Sequence, residues 1–155
     1  MSKKKIENNA KRLARLAAVQ GLYQIALLPR PAKDLIRDFK DHPSVLLQEV
    51  AEGEVEPEID QPLFAEILTG VLDNTDTLDQ MIAGSLDAKV SADRIEILLR
   101  AILRGGAFEL HHHATIPAGV IINDYVDIAH AFFGAKEPGL VNAVLDKLAK
   151  NLRAA

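Results

Sequence analysis

Stretch after stretch of this chain sets apolar side chains three and four residues apart, the spacing of one face of a helix. No stretch of convincing length alternates apolar with polar residues as a half-buried strand would. From Asn9 to Leu28 the stripe is Leu13, Leu16, Ala17, Tyr23 and Leu27, and Pro29 with Pro31 ends it. "PAKDLIRDF" predicts a short second helix with Leu35, Ile36 and Phe39 inward, and "KDHPSVLLQEV" adds one more apolar patch. "LFAEILTGVLDNTDTLDQMIAGSL" reads as helix interrupted near "DNTD", where short polar side chains compete for backbone hydrogen bonds. "SADRIEILLRAILRGGAFELHH" follows, with Ser91 as N-cap and Asp93 in the first turn. Gly105 and Gly106 inside it each cost about 1 kcal/mol of helix propensity against Ala, which points to a neighbouring helix packed close against a central, buried one. "TIPAGVIINDYVDIAHAFFG" sets Thr115 near an N-cap, Pro117 early, a stripe through Val120, Ile121, Val126, Ile128 and Ala129, and Gly134 as the stop. "EPGLVNAVLDKLAKNLR" opens on Pro138 and stripes Leu140, Val141, Val144, Leu145 and Leu148. The expected fold class is all-α.

A length of 155 residues suits one domain with its own core. The absence of cysteine excludes a thiol nucleophile, a thiolate zinc site and a disulfide framework. No glycine-rich phosphate loop, H-E-x-x-H or nucleophile elbow is present, so the chain reads as a protein that is not an enzyme and needs no cofactor. Asp124 and Asp127 stand three apart, as acids on helix surfaces routinely do. His111, His112 and His113 point about 100° apart on a helix and cannot share one ion, so they read as a polar helix end with no metal site; His130 reads as a surface or packed residue. Arg15, Gln20 and Gln24 break the apolar run from Leu13 to Leu28, and nowhere do the roughly 20 apolar residues of a membrane span follow one another. The chain is therefore expected to be soluble and mature.

Charge is unevenly placed. Residues 1 to 30 hold seven Lys and Arg against one acid, +6, while residues 31 to 155 hold 11 against 21, or −10. Residues 1 to 8 read as a flexible basic arm carrying Lys3, Lys4 and Lys5, and residues 49 to 60, "EVAEGEVEPEID", as an acidic connector loop. Lys11, Arg12 and Arg15 lie three and four apart and crowd one side of the first helix while Leu13, Leu16 and Ala17 turn inward. Like charges at these spacings mildly destabilise a helix, a cost a bound polyanion would offset; the bland alternative is a solvated face. Contact by three or four of these side chains would give a log-log salt slope of roughly −2 to −3 on single-stranded nucleic acid.

Taken together, "ARLAAVQGLYQ", "LRAILRGGAFEL" and "IPAGVIINDYVDIAHAFFGAKEPGLVNAVLDKLAK" resemble the motifs of the NusB family of bacterial transcription antitermination factors. The resemblance runs almost end to end and is weakest from Arg30 to Asp60. It implies two small helical subdomains, cytoplasmic location and no catalysis. It further implies binding, together with ribosomal protein NusE, of boxA RNA from ribosomal RNA operons, as part of the RNA polymerase antitermination complex. On the RNA side it carries over Lys11, Arg12 and Arg15, with Lys3, Lys4, Lys5 and Gln20, and from the last interhelical loop Lys136, Glu137 and Leu140. On the protein side it carries over Tyr23, Leu99 and Arg100. Some relatives pair through helical surfaces, so a homodimer is a possibility.

The chain departs from the family at several positions. Leu140 stands where many members have Phe, which removes a platform for base stacking worth about 1 to 3 kcal/mol where it occurs, and Gly139 supplies no cation beside it. Phe108 replaces the usual Tyr, Asp124 the usual Glu and Gly21 a common Ala. Asn123 and Asn142 fall in family motifs and read as structural amides that satisfy backbone groups near helix starts. Two other readings remain at this point: the N-terminal domain of a ribosomal RNA cytosine methyltransferase, which shares this fold, and a protein scaffold without RNA binding.

Overall fold

The computed structural model describes residues 2–47, 57–87 and 95–153. Among these every regular element is helical: α1 Lys3–Leu27, α2 Ala32–Asp41, a 3-10 turn Pro43–Val45, α3 Gln61–Asp73, α4 Thr75–Ser85, α5 Ile97–His112, α6 Ala118–Phe132 and α7 Lys136–Leu152. The chain divides within α3 into two compact units, Met1–Thr69 and Gly70–Ala155.

In the first unit α1 starts earlier than its sequence pattern suggests. Ser2 accepts a hydrogen bond from the Lys5 backbone N–H at 3.2 Å, and residues 3 to 8, expected as a basic arm, are the first turns of α1. The inner face of α1 is nearly all small: Ala10, Ala14, Ala17, Ala18, Val19 and Gly21 are buried, and a Cβ on Gly21 would lie 3.1 Å from Leu35 and 3.3 Å from Leu68. That closeness lets Phe39 of α2 and Phe64 of α3 meet in the core with ring centroids 4.4 Å apart. Two side-chain amides and one backbone N–H then tie irregular backbone to α1. Gln20 donates to the Leu46 carbonyl at 2.9 Å, Gln24 to the Val45 carbonyl at 3.2 Å, and the Asp60 N–H to the Ala10 carbonyl at 3.2 Å. Of the expected acidic loop, residues 49–56 lie outside the described residues, and 57–60 have no regular structure.

In the second unit the interruption at "DNTD" is confirmed. Asn74 donates to the Gly70 carbonyl at 2.8 Å and Thr75 to the Val71 carbonyl at 2.9 Å, local bonds that turn the chain from α3 into α4. Ser91 and Asp93 lie outside the described residues, and α5 begins later, with Glu96 accepting from the Leu98 and Leu99 N–H groups. α5 is buried almost continuously from Leu99 to Leu110. Its two glycines explain how: a Cβ on Gly105 would fall 2.8 Å from the Tyr125 ring of α6, and one on Gly106 would fall 2.6 Å from Leu145 of α7. α6 follows Pro117, with no side-chain cap from Thr115, and buries Ile121, Ile122, Tyr125, Ile128 and Ala129, leaving Val120 49% exposed instead of in the core.

The bottom of this unit is held by charge. Arg153, just past α7, donates to the carbonyls of Leu110 (3.1 and 3.2 Å), His113 (2.9 Å) and Ile116 (2.6 Å), satisfying acceptors that the end of α5 leaves open. The histidine triplet is a helix end, as expected: His112 stacks on Phe108, and His113 Nδ1 lies 3.0 Å from Glu109 Oε1. Glu109 is fully buried and accepts from the Tyr125 hydroxyl at 2.6 Å.

Candidate nucleic-acid interface

The exposed end of α1 gathers cations by helical arithmetic. Residues seven apart fall within about 20° of one another, so Lys4 aligns with Lys11 and Lys5 with Arg12, each pair separated by about 10 Å along the axis. All four are exposed, as is Asn8 between them, while Lys3 sits on another side of the first turn. Three lysines at a helix N-terminus oppose the macrodipole, and the Ser2 cap offsets part of that penalty. The result is a basic strip about two turns long on one helix, with Glu7 the only acid in α1.

Arg15 does not belong to that strip. It shares the azimuth of Lys11 but is only 2% exposed, because one turn further on the helix enters the core, where Ala18, Val19 and Leu22 of the same side are buried too. A guanidinium so placed is held by its own interactions, and its long stem fills core volume. Gln20 is half-buried, with its amide committed to Leu46. Arg15 therefore supports α1 from inside, while Gln20 keeps part of its side chain at the surface with one amide N–H held by Leu46. Tyr23 is half-buried on the same helix.

In the second unit Lys136 is exposed at the first residue of α7, and Glu137 and Leu140 follow it half-buried within the next turn. They lie on a helix start, not in a loop: only residues 133–135 separate α6 from α7. Leu99 is buried at 6% and Arg100 is half-buried near the start of α5, with a long contact of 3.5 Å from its guanidinium to the Ile95 carbonyl. Leu99 is therefore core, and of this pair Arg100 alone offers surface. Asn123 and Asn142 are both exposed, within α6 and α7 respectively, which removes the structural role expected for them. A helix starting at Asn9 hides the alignment of Lys4 and Lys5 with Lys11 and Arg12, which the seven-residue spacing carries once the helix begins at Lys3.

The sequence pattern of the NusB family matches residues 12–150. Among curated relatives, a transcription antitermination protein NusB of Bradyrhizobium sp. (strain BTAi1) is 40% identical over 146 residues, covering 94% of this chain and 85% of its own length. The protein of the same name from Bartonella quintana (strain Toulouse) is 40% identical over 145 residues, covering 94% and 91%. Among solved structures, T. maritima NusB superposes with a TM-score of 0.64 at 25% identity, covering 90% of this chain and 89% of its own. A chain from a crystal structure of the antitermination factors NusB and NusE in complex with double-stranded RNA gives 0.70 at 23% identity, covering 90% and 96%. The helical order, the small-residue seam of α1, the glycine-tight packing of α5 and these matches lead to one conclusion: the chain belongs to the NusB family.

Proposed function

We propose that this protein is a non-catalytic transcription antitermination factor. It binds boxA RNA of ribosomal RNA operons jointly with ribosomal protein NusE, as a cytoplasmic component of the RNA polymerase antitermination complex. The name of the curated relatives supports the antitermination role. The observation that carries the RNA reading is the basic strip of α1, where Lys4, Lys5, Lys11 and Arg12 stand exposed on one side of a helix in a chain of net charge −4. Four cations there hold phosphates electrostatically, and Asn8 between them adds an amide that can donate to a phosphate or base edge. Lys3, at the same helix start, adds to the local potential. Lys136, with Glu137 and Leu140 beside it, forms a smaller RNA contact on α7, and Tyr23 and Arg100 serve the protein partner. The methyltransferase reading has no support in the relatives, which carry the antitermination name and are covered over most of their own length. Among the described residues no helix is long and apolar enough to cross a membrane.

The test is fluorescence anisotropy with a boxA RNA and a scrambled RNA of equal length, with and without NusE. Preference for boxA that tightens on adding NusE is expected. Equal weak binding of both RNAs, unaffected by NusE, would overturn the reading, and NusE binding without RNA binding would make the protein a scaffold.

A further inference from the structure

Outside α1 the long middle of the chain is acidic as a whole, and its end is not. Residues 31 to 135 carry seven Lys and Arg against nineteen Asp and Glu, or −12, whereas residues 136 to 155 carry four against two, or +2. One of those four, Arg153, is committed to the carbonyls at the end of α5. The other three, Lys136, Lys147 and Lys150, are exposed, and steps of 100° per residue put them within about 60° of azimuth along about 21 Å of α7. Gly139 and Ala143 lie exposed within or beside the same strip, and a Cβ on Gly139 would meet nothing within 4 Å. The surface between the lysines is thus low and open. Asp146 pairs with Lys150 at 2.9 Å, but among the described residues Lys136 and Lys147 form no ion pair.

We propose that this strip of α7 is a second track for the backbone of single-stranded RNA, used by nucleotides beyond the element held at α1; the inference rests on the RNA reading of α1. Its chemistry favours a polyanion. Lysines separated by small residues offer point charges to phosphates, and the strip holds no exposed aromatic or large aliphatic side chain of the kind that anchors a protein interface. The high negative charge of residues 31 to 135 contrasts with this end of the chain, where exposed lysines offer a phosphate chain local attraction.

The experiment compares wild type, Lys147→Gln/Lys150→Gln and Lys11→Gln/Arg12→Gln by anisotropy from 50 to 200 mM salt, with a minimal boxA RNA and with one extended by unpaired nucleotides at both ends. Both substituted pairs are exposed, and circular dichroism confirms that each variant is folded. On the extended RNA the Lys147→Gln/Lys150→Gln variant is expected to lose about 1.4 from the log-log salt slope. Its deficit against wild type then shrinks about sevenfold between 50 and 200 mM, with a smaller effect on the minimal RNA. An unchanged slope on the extended RNA overturns this inference while leaving the α1 reading standing if Lys11→Gln/Arg12→Gln still loses affinity. Failure of wild type to bind either RNA overturns both. Weakened NusE capture with an unchanged RNA slope makes the strip a protein surface and also overturns the inference.

Discussion

Arg153 shows how much of the second unit depends on one side chain. Its guanidinium reaches three carbonyls around the end of α5, and removing it leaves those acceptors without their charged donor. Arg153→Ala should lower stability by about 2 to 3 kcal/mol in urea unfolding, and Arg153→Lys should recover only part of that, because an ammonium cannot span the same fork. Arg30 plays a lesser part in the first unit. Its hydrogen bond to Asp38 at 2.6 Å holds that carboxyl below its ordinary value, against a smaller opposing effect of desolvation and with help from the charges of Arg30 and Arg37. A carboxyl depressed in the folded state adds stability above its unfolded pKa, and that contribution is lost as the pH falls through the folded pKa. Arg30→Gln should therefore move the Asp38 titration upward in an NMR pH series, and an unmoved midpoint would refute the pairing. Arg15 differs from Lys11 and Arg12 in its burial. Its spacing from Lys11 is that of an exposed neighbour, and only the burial of Ala18, Val19 and Leu22 on the same side reveals where the helix enters the core.

At the scale of elements, α5 is a seam on which α6 and α7 close. Gly106→Ala pushes a methyl group to 2.6 Å from Leu145, so it should destabilise by about 1 to 3 kcal/mol even though Ala is the better helix former. Gly139→Ala on open α7 has no such neighbour and should stabilise by about 0.5 to 1 kcal/mol. Equal effects of the two substitutions in thermal unfolding would contradict the packing account. The glycine pair made this seam legible in advance, because nothing but close packing explains two adjacent propensity penalties inside an apolar helix. The stripe of α7 was legible because burial follows the 3.6-residue period, but that of α1 was not: of Leu13, Leu16, Ala17, Tyr23 and Leu27 only Ala17 is buried, and Leu27 is 56% exposed, because the core side of α1 is lined by small residues instead. Two helix starts were not legible either. The start of α1 at Lys3 runs against its own dipole and is secured by the Ser2 hydroxyl, and α5 is capped by Glu96, a residue type with little capping preference. Nor could Val120 be placed, since its spacing fits the apolar stripe equally well whether or not a neighbour covers it.

Across the whole molecule, charge is sorted more sharply than composition reveals. A net −4 conceals +6 in the first thirty residues, −12 in the middle and +2 at the end. Such sorting favours association of a polyanion with few surfaces and makes it strongly dependent on salt. On the proposed reading the exposed start of α1 binds RNA phosphates while Arg15 supports the fold from inside. Salt titration of boxA RNA binding by Lys11→Gln/Arg12→Gln and by Arg15→Gln, with thermal unfolding of each, tests it most directly. The first variant should lose about 1.4 from the log-log slope and keep its melting temperature, whereas the second should melt at lower temperature and keep the slope at temperatures where it is folded. A lost slope in folded Arg15→Gln, or an intact slope in Lys11→Gln/Arg12→Gln, would contradict the account.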